Sequence, residues 1–221
     1  MASADGFWRT QKSATVPGTV LARKMDTQIT SQAGADSGGA VRCTDWLGFP
    51  PVLDVCCGPK GMWFDKHDVR ALFTDVRSET VKKEHAKGVL VYHIRPDMIA
   101  DFSNLPFPDN TFAHVVFDPP HCKGSEARRN GMNGQQYGLL FGDWRAMLSR
   151  GFAECFRVLR PEGTLVFKWN EQEIPTKEIL ALTDEKPLYG HPSGKRAKTQ
   201  WVVFLKPNNA LSQTPENEPQ R

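Results

Sequence analysis

The middle of the chain alternates short apolar runs with polar breaks. Residues 113–117, Ala-His-Val-Val-Phe, read as a strand buried on both faces, because the apolar positions run on instead of alternating. Residues 52–56, 71–74, 164–169 and 200–205 read as further strands. Between the second of these and a third strand near residues 97–102, residues 79–95 turn from polar to apolar and predict a hairpin or an insertion. One stretch has helical period. Trp144, Met147, Leu148, Phe152, Cys155, Phe156 and Leu159 fall three and four apart behind Asp143, a capping residue, and ahead of Arg160-Pro161-Glu162-Gly163, a stop. Residues 62–67 and 173–182 predict shorter helices. Residues 122–142 carry Gly124, Gly131, Gly134, Gly138 and Gly142 without periodicity and read as a long irregular loop.

Strands alternating with helices imply an α/β domain with a mostly parallel sheet. The 221 residues suffice for one such domain, placed at residues 41–206. Residues 1–40 are rich in Ser, Thr, Ala, Gly and Gln and read as largely disordered, Phe7-Trp8 excepted. Residues 207–221, rich in Pro, Asn, Gln and Glu, read as a disordered tail. The hydrophobic content of 39% is ordinary, and no apolar run is long enough for a membrane span. With no signal-peptide core at the N-terminus, a soluble cytoplasmic protein is expected. Five cysteines (Cys43, Cys56, Cys57, Cys122, Cys155) lack metal-ligand spacing, so neither a metal nor a disulfide framework is expected.

Candidate chemistry gathers where strands end. Asp118-Pro119-Pro120-His121 follows residues 113–117 directly. Two prolines hold the segment extended, so the Asp118 carboxylate and the Pro119 carbonyl offer two acceptors to a planar NH₂ group. After the first strand comes Asp54-Val55-Cys56-Cys57-Gly58-Pro59-Lys60-Gly61. There Gly58 admits a ligand close to the backbone and Gly61 a tight turn. Asp75 closes the second strand, placed to accept ribose hydroxyls as acids do in dinucleotide-binding folds. Ligands of open α/β sheets sit beyond the carboxyl ends of the strands, so these segments are expected on one rim.

Asp-Pro-Pro-aromatic, preceded by the Asp54–Gly61 loop, resembles the motif set of class I S-adenosylmethionine (SAM) dependent amino-methyltransferases. This resemblance implies a Rossmann-like, mostly parallel seven-stranded sheet ending in an antiparallel hairpin. It implies SAM held by Asp54, Cys56, Gly58, Gly61, Asp75, Asp101 and Phe102, with Asp101 on the adenine amino group. It assigns catalysis to Asp118, Pro119, Pro120 and His121, although the fourth position of the motif usually holds Tyr, Phe or Trp. The motif order resembles adenine N6 methyltransferases, and residues 50–206 are most similar to small phage- or prophage-encoded ones. Too few residues follow the last strand for a separate recognition domain, which implies low sequence specificity on DNA. RNA adenine N6 or guanine N2, a protein glutamine, or a catalytically silent SAM-binding module stay open. The formal charge of +3 is modest, but its distribution matters. Arg128 and Arg129 follow the tetrad, and Lys195, Arg196 and Lys198 cluster between the last two strands as a phosphate-binding surface for DNA or RNA.

Overall fold

The computed structural model describes residues 48–208, apart from 86–87, 126–127, 129–131, 195 and 197. The expected N-terminal segment 1–40 and nearly all of the tail therefore lie outside the described residues, as do Arg129 and Lys195.

The strands are β1 (Val52–Asp54), β2 (Ala71–Asp75), β3 (Glu79–His85), β4 (Gly88–Ile94), β5 (Met98–Ile99), β6 (Phe112–Phe117), β7 (Leu159–Asn170), β8 (Tyr189–Ser193) and β9 (Thr199–Leu205). The helices are α1 (Met132–Tyr137), α2 (Trp144–Val158) and α3 (Thr176–Leu180). Seven strands form one sheet in the order β5-β2-β1-β6-β7-β9-β8. The first five run parallel, and β9 runs antiparallel to both β7 and β8. This is the Rossmann-like α/β sheet with the antiparallel ending expected from sequence. Strand order reverses between β1 and β6, the place where such sheets take ligands.

The core lies between the sheet and α2. Leu148, Phe152, Cys155 and Phe156 pack with Phe117, Phe167 and Phe204, as the spacing predicts. The Asp143 side chain accepts from the Ala146 N–H at 3.1 Å and caps the helix. Gly151 lets α2 approach the sheet, since a Cβ there would lie 2.8 Å from the Phe102 ring and 2.9 Å from that of Phe117. Arg157, at the end of α2, donates to the carbonyls of Leu105 and Phe107, tying residues 105–107 to the helix.

Four expectations need correction. Residues 62–67 form turns and no helix, because Asp65 and Asp68 accept from the N–H groups of His67 and Arg70 two positions on. Residues 122–142 are not wholly irregular, since α1 forms inside them. Arg160-Pro161-Glu162-Gly163 belongs to β7, entering it through a register shift opposite Phe112/His114. Residues 191–193, expected within the basic turn between the last two strands, belong to β8. Residues 79–95 do form the expected hairpin, β3 against β4, as a separate two-stranded ribbon. Two of the parallel crossovers, β1 to β2 and β2 to β5, thus carry no helix, leaving one face of β1 and β2 to a turn segment in which Trp63 packs edge-on to Phe73.

Candidate active site

A cavity of about 800 Å³ opens at the carboxyl rim of the parallel strands. Its walls come from the β1–β2 turn (Cys56, Gly58, Pro59, Gly61), from Asp75 and Arg77 after β2, from β3, from Phe102, from Asp118 and Pro120 after β6, from α1 and from Lys168 on β7.

The β1–β2 turn is shaped by its own backbone and by Asp75. Gly58 has φ +49°, in the region that side chains resist, and a Cβ there would meet only the Gln136 carbonyl, at 4.0 Å. Its N–H donates to Asp75 Oδ2 at 2.9 Å, while Asp75 Oδ1 accepts from the Arg77 N–H at 2.9 Å. Oδ1 also lies 3.4 Å from Arg77 Nε, and the buried side chain borders the cavity. Arg77 also donates to the Gln135 carbonyl at 2.9 Å, so the last turn of α1 is capped from across the cavity.

Asp54 lies elsewhere than expected. It is 1% exposed, behind the wall, and its Oδ2 accepts from Trp63 Nε1 at 2.8 Å. Burial pushes its carboxyl up to about 7, against the Trp63 and Cys56 hydrogen bonds that favour the anion. Asp54 therefore anchors the turn segment from beneath instead of facing a ligand. Asp101 is half-buried and does not line the cavity, although Phe102 does, and its Oδ1 accepts from the N–H and hydroxyl of Ser103. Burial pushes the Cys56 thiol well up, which leaves it an uncharged wall residue.

Asp118 is half-buried at the cavity edge, and its Oδ2 pairs with Lys168 Nζ at 2.5 Å. The pair follows from strand register: Phe117 is opposite Phe167, so the next residue of each strand stands side by side. Pro120 lines the cavity, whereas Pro119 and His121 lie outside its wall. The His121 ring is 6.2 Å from that of Tyr137 and 6.3 Å from that of Trp169. Burial lowers its proton affinity, only partly offset by the Asp118 charge. Tyr137 of α1 is half-exposed and lines the cavity, so an aromatic ring reaches this mouth from a different element.

Sequence reading missed Lys168, Arg77 and Tyr137. A signal existed for Lys168, the single charge in the apolar stretch 164–169, close to where β7 reaches the rim. Of the expected nucleic-acid contacts, Arg128 is exposed but paired with Glu173 at 2.5 Å and bonded to the Lys123 carbonyl. Arg196 and Lys198 are exposed in the β8–β9 turn. Because Asn170 pairs with Thr199, that turn lies on the same rim as Asp118.

No protein-family model and no curated protein matches the chain. Among solved structures it is similar to a TehB-like SAM-dependent methyltransferase from Corynebacterium glutamicum (14% identity, TM-score 0.44, covering 86% of this chain and 99% of that one). It is also similar to the Burkholderia thailandensis 1,6-didemethyltoxoflavin-N1-methyltransferase, solved with bound 1,6-didemethyltoxoflavin and S-adenosylhomocysteine (11%, 0.42, 86% and 79%). A third is a SAM-dependent methyltransferase of Leishmania major (14%, 0.42, 90% and 80%).

Proposed function

We propose that this protein is a SAM-dependent methyltransferase acting on an exocyclic amine of a nucleic-acid base, adenine N6 in DNA foremost, with low sequence specificity. One observation carries the proposal: a single cavity at the strand-order switch is lined by the Gly58 turn, by Asp75 and by Asp118 together. Its residues fit the cofactor. Gly58 allows close backbone approach, Asp75 retains acceptor capacity for ribose, and Phe102 with Met147 offers apolar wall. When bound, SAM supplies an electrophilic methyl group on a sulfonium.

Asp118, at the cavity edge, accepts a hydrogen of the amine, drawing its lone pair out of conjugation with the ring. Lys168 occupies Oδ2, so Oδ1 is the oxygen left for this work. Once SAM had supplied its methyl group to the nitrogen and left as the neutral thioether, Asp118 would take the proton that the nitrogen sheds. The catalysis is positioning and preorganised charge. A base reaches such a cavity only when it is turned out of its helix or lies in a single strand.

Calorimetry of the full chain with SAM and S-adenosylhomocysteine tests the cofactor; absence of binding refutes the proposal. Asp75→Ala is expected to weaken binding by roughly 1.5–3 kcal/mol, the worth of hydrogen bonds to a charged acceptor. Transfer of radiolabelled methyl to DNA, RNA and protein separates the substrate classes. Asp118→Ala is expected to nearly abolish transfer while leaving SAM affinity close to unchanged. If that variant retains most of its turnover, the tetrad is only a turn.

A further inference from the structure

We infer that Lys168 is a substrate-reading residue, and that the Asp118–Lys168 pair selects amines with an in-plane hydrogen-bond acceptor beside them. This deepens the proposed methyl transfer and rests on it. The observation is the juxtaposition itself. A carboxylate oxygen and an ammonium lie 2.5 Å apart on neighbouring strands, and both border the cavity. The ammonium spends one donor on Asp118 Oδ2 and stands 5.5 Å from the centre of the Trp201 ring. An ammonium has three donors, so two are left for a ligand.

An acceptor and a donor held side by side are complementary to an edge that presents a donor and an acceptor side by side. The adenine pairing edge does so through N6–H and N1, and the cytosine pairing edge through N4–H and N3. Guanine offers N1–H beside its amine on the pairing edge, which would set a donor against the ammonium, and presents the matching pair only on its sugar edge, through N2–H and N3. An aliphatic amine has no adjacent acceptor. Asp118 holds the N–H while Lys168 donates to the ring nitrogen, and this fixes which amine faces the methyl donor. Drawing electrons toward the ring nitrogen also makes the exocyclic N–H more acidic, easing loss of the proton to Asp118 that follows N–C bond formation.

The experiment uses the full chain, tritiated SAM and short single-stranded DNA and RNA oligonucleotides carrying one adenine or one 1-deazaadenine, which has C–H in place of N1. The parent is expected to lose roughly 5- to 150-fold in kcat/KM on 1-deazaadenine, the range for one two-point base contact. Lys168→Met should lose a similar factor on adenine and show no further loss on 1-deazaadenine, while Lys168→Arg keeps the discrimination. Any intrinsic effect of the analogue on amine reactivity would appear equally in parent and Lys168→Met. Equal discrimination by the two therefore overturns the inference, as does a parent that treats both bases alike. If the parent prefers cytosine, 3-deazacytosine gives the same comparison. Transfer to aliphatic amines in their place overturns the edge selection and leaves methyl transfer standing. SAM binding without transfer to any amine removes both. Calorimetric SAM affinity of Lys168→Met, expected to match the parent, shows that its cavity is intact.

Discussion

Asp54 shows how one residue of a recognisable motif takes a structural duty. Its carboxyl is sequestered beneath the cavity, held by Trp63, and shifted by burial from 3.8 to about 7. Between those values the folded chain binds more protons than the unfolded one, so stability must fall as pH rises through that window. Its size is bounded by about three pKa units, roughly 4 kcal/mol. Asp54→Asn removes the titration and leaves an uncharged oxygen for Trp63. Denaturant unfolding at about pH 5 and about pH 8 should show a smaller loss of stability in the variant than in the parent. An equal loss in both would show that Asp54 ionises freely in the fold.

Among the elements, α1 is a short helix held in place by contacts distant in sequence. It has only six residues, too few to hold helical structure alone. Arg77 caps its Gln135 carbonyl while leaning on Asp75, and the Gly138 N–H closes the end on the Gly134 carbonyl. α1 brings Tyr137 to the cavity and its Gln136 carbonyl over Gly58. Arg77→Ala should therefore loosen the cavity cover before it loosens the sheet. Charge-assisted hydrogen bonds worth roughly 1.5–3 kcal/mol correspond to about 10- to 150-fold faster amide exchange across residues 134–138. Exchange in β6 should be unchanged. Uniform acceleration, or none, would show that Arg77 does not latch this helix.

At the scale of the whole molecule, antiparallel pairing of β7 with β9 decides where the basic turn goes. The turn lands on the cavity rim, with the Lys198 carbonyl accepting from the Glu171 N–H at 2.9 Å. Under the proposed function, Arg196 and Lys198, with Lys195 beside them in sequence, attract the phosphate backbone wherever the base enters. Replacing all three by alanine should weaken DNA or RNA binding and flatten its log–log salt dependence by roughly 2–3 units. Titrations by fluorescence anisotropy at several salt concentrations would measure this. An unchanged slope would return the turn to an ordinary solvated loop.

The sequence by itself determined the class of sheet, the places where its strands end and the acids that stand there. Those signals are local: apolar runs, helical spacing in Trp144–Val158, and glycine and proline at turns. It also pointed to Asp75, Gly58 and Asp118, because residues following successive parallel strands share a rim whatever the details of packing. Tertiary structure alone decided which of those acids face the cavity. Asp54 ends β1 and Asp118 follows β6, yet one is buried against Trp63 and the other borders the cavity, a difference made by the segments packed over them. It alone joined Lys168 to Asp118, residues 50 apart. Their meeting is set by the register of β6 on β7, which includes a shift near Phe112 that no local pattern encodes. Burial and register arise from the whole chain closing on itself, and so become visible only in the fold.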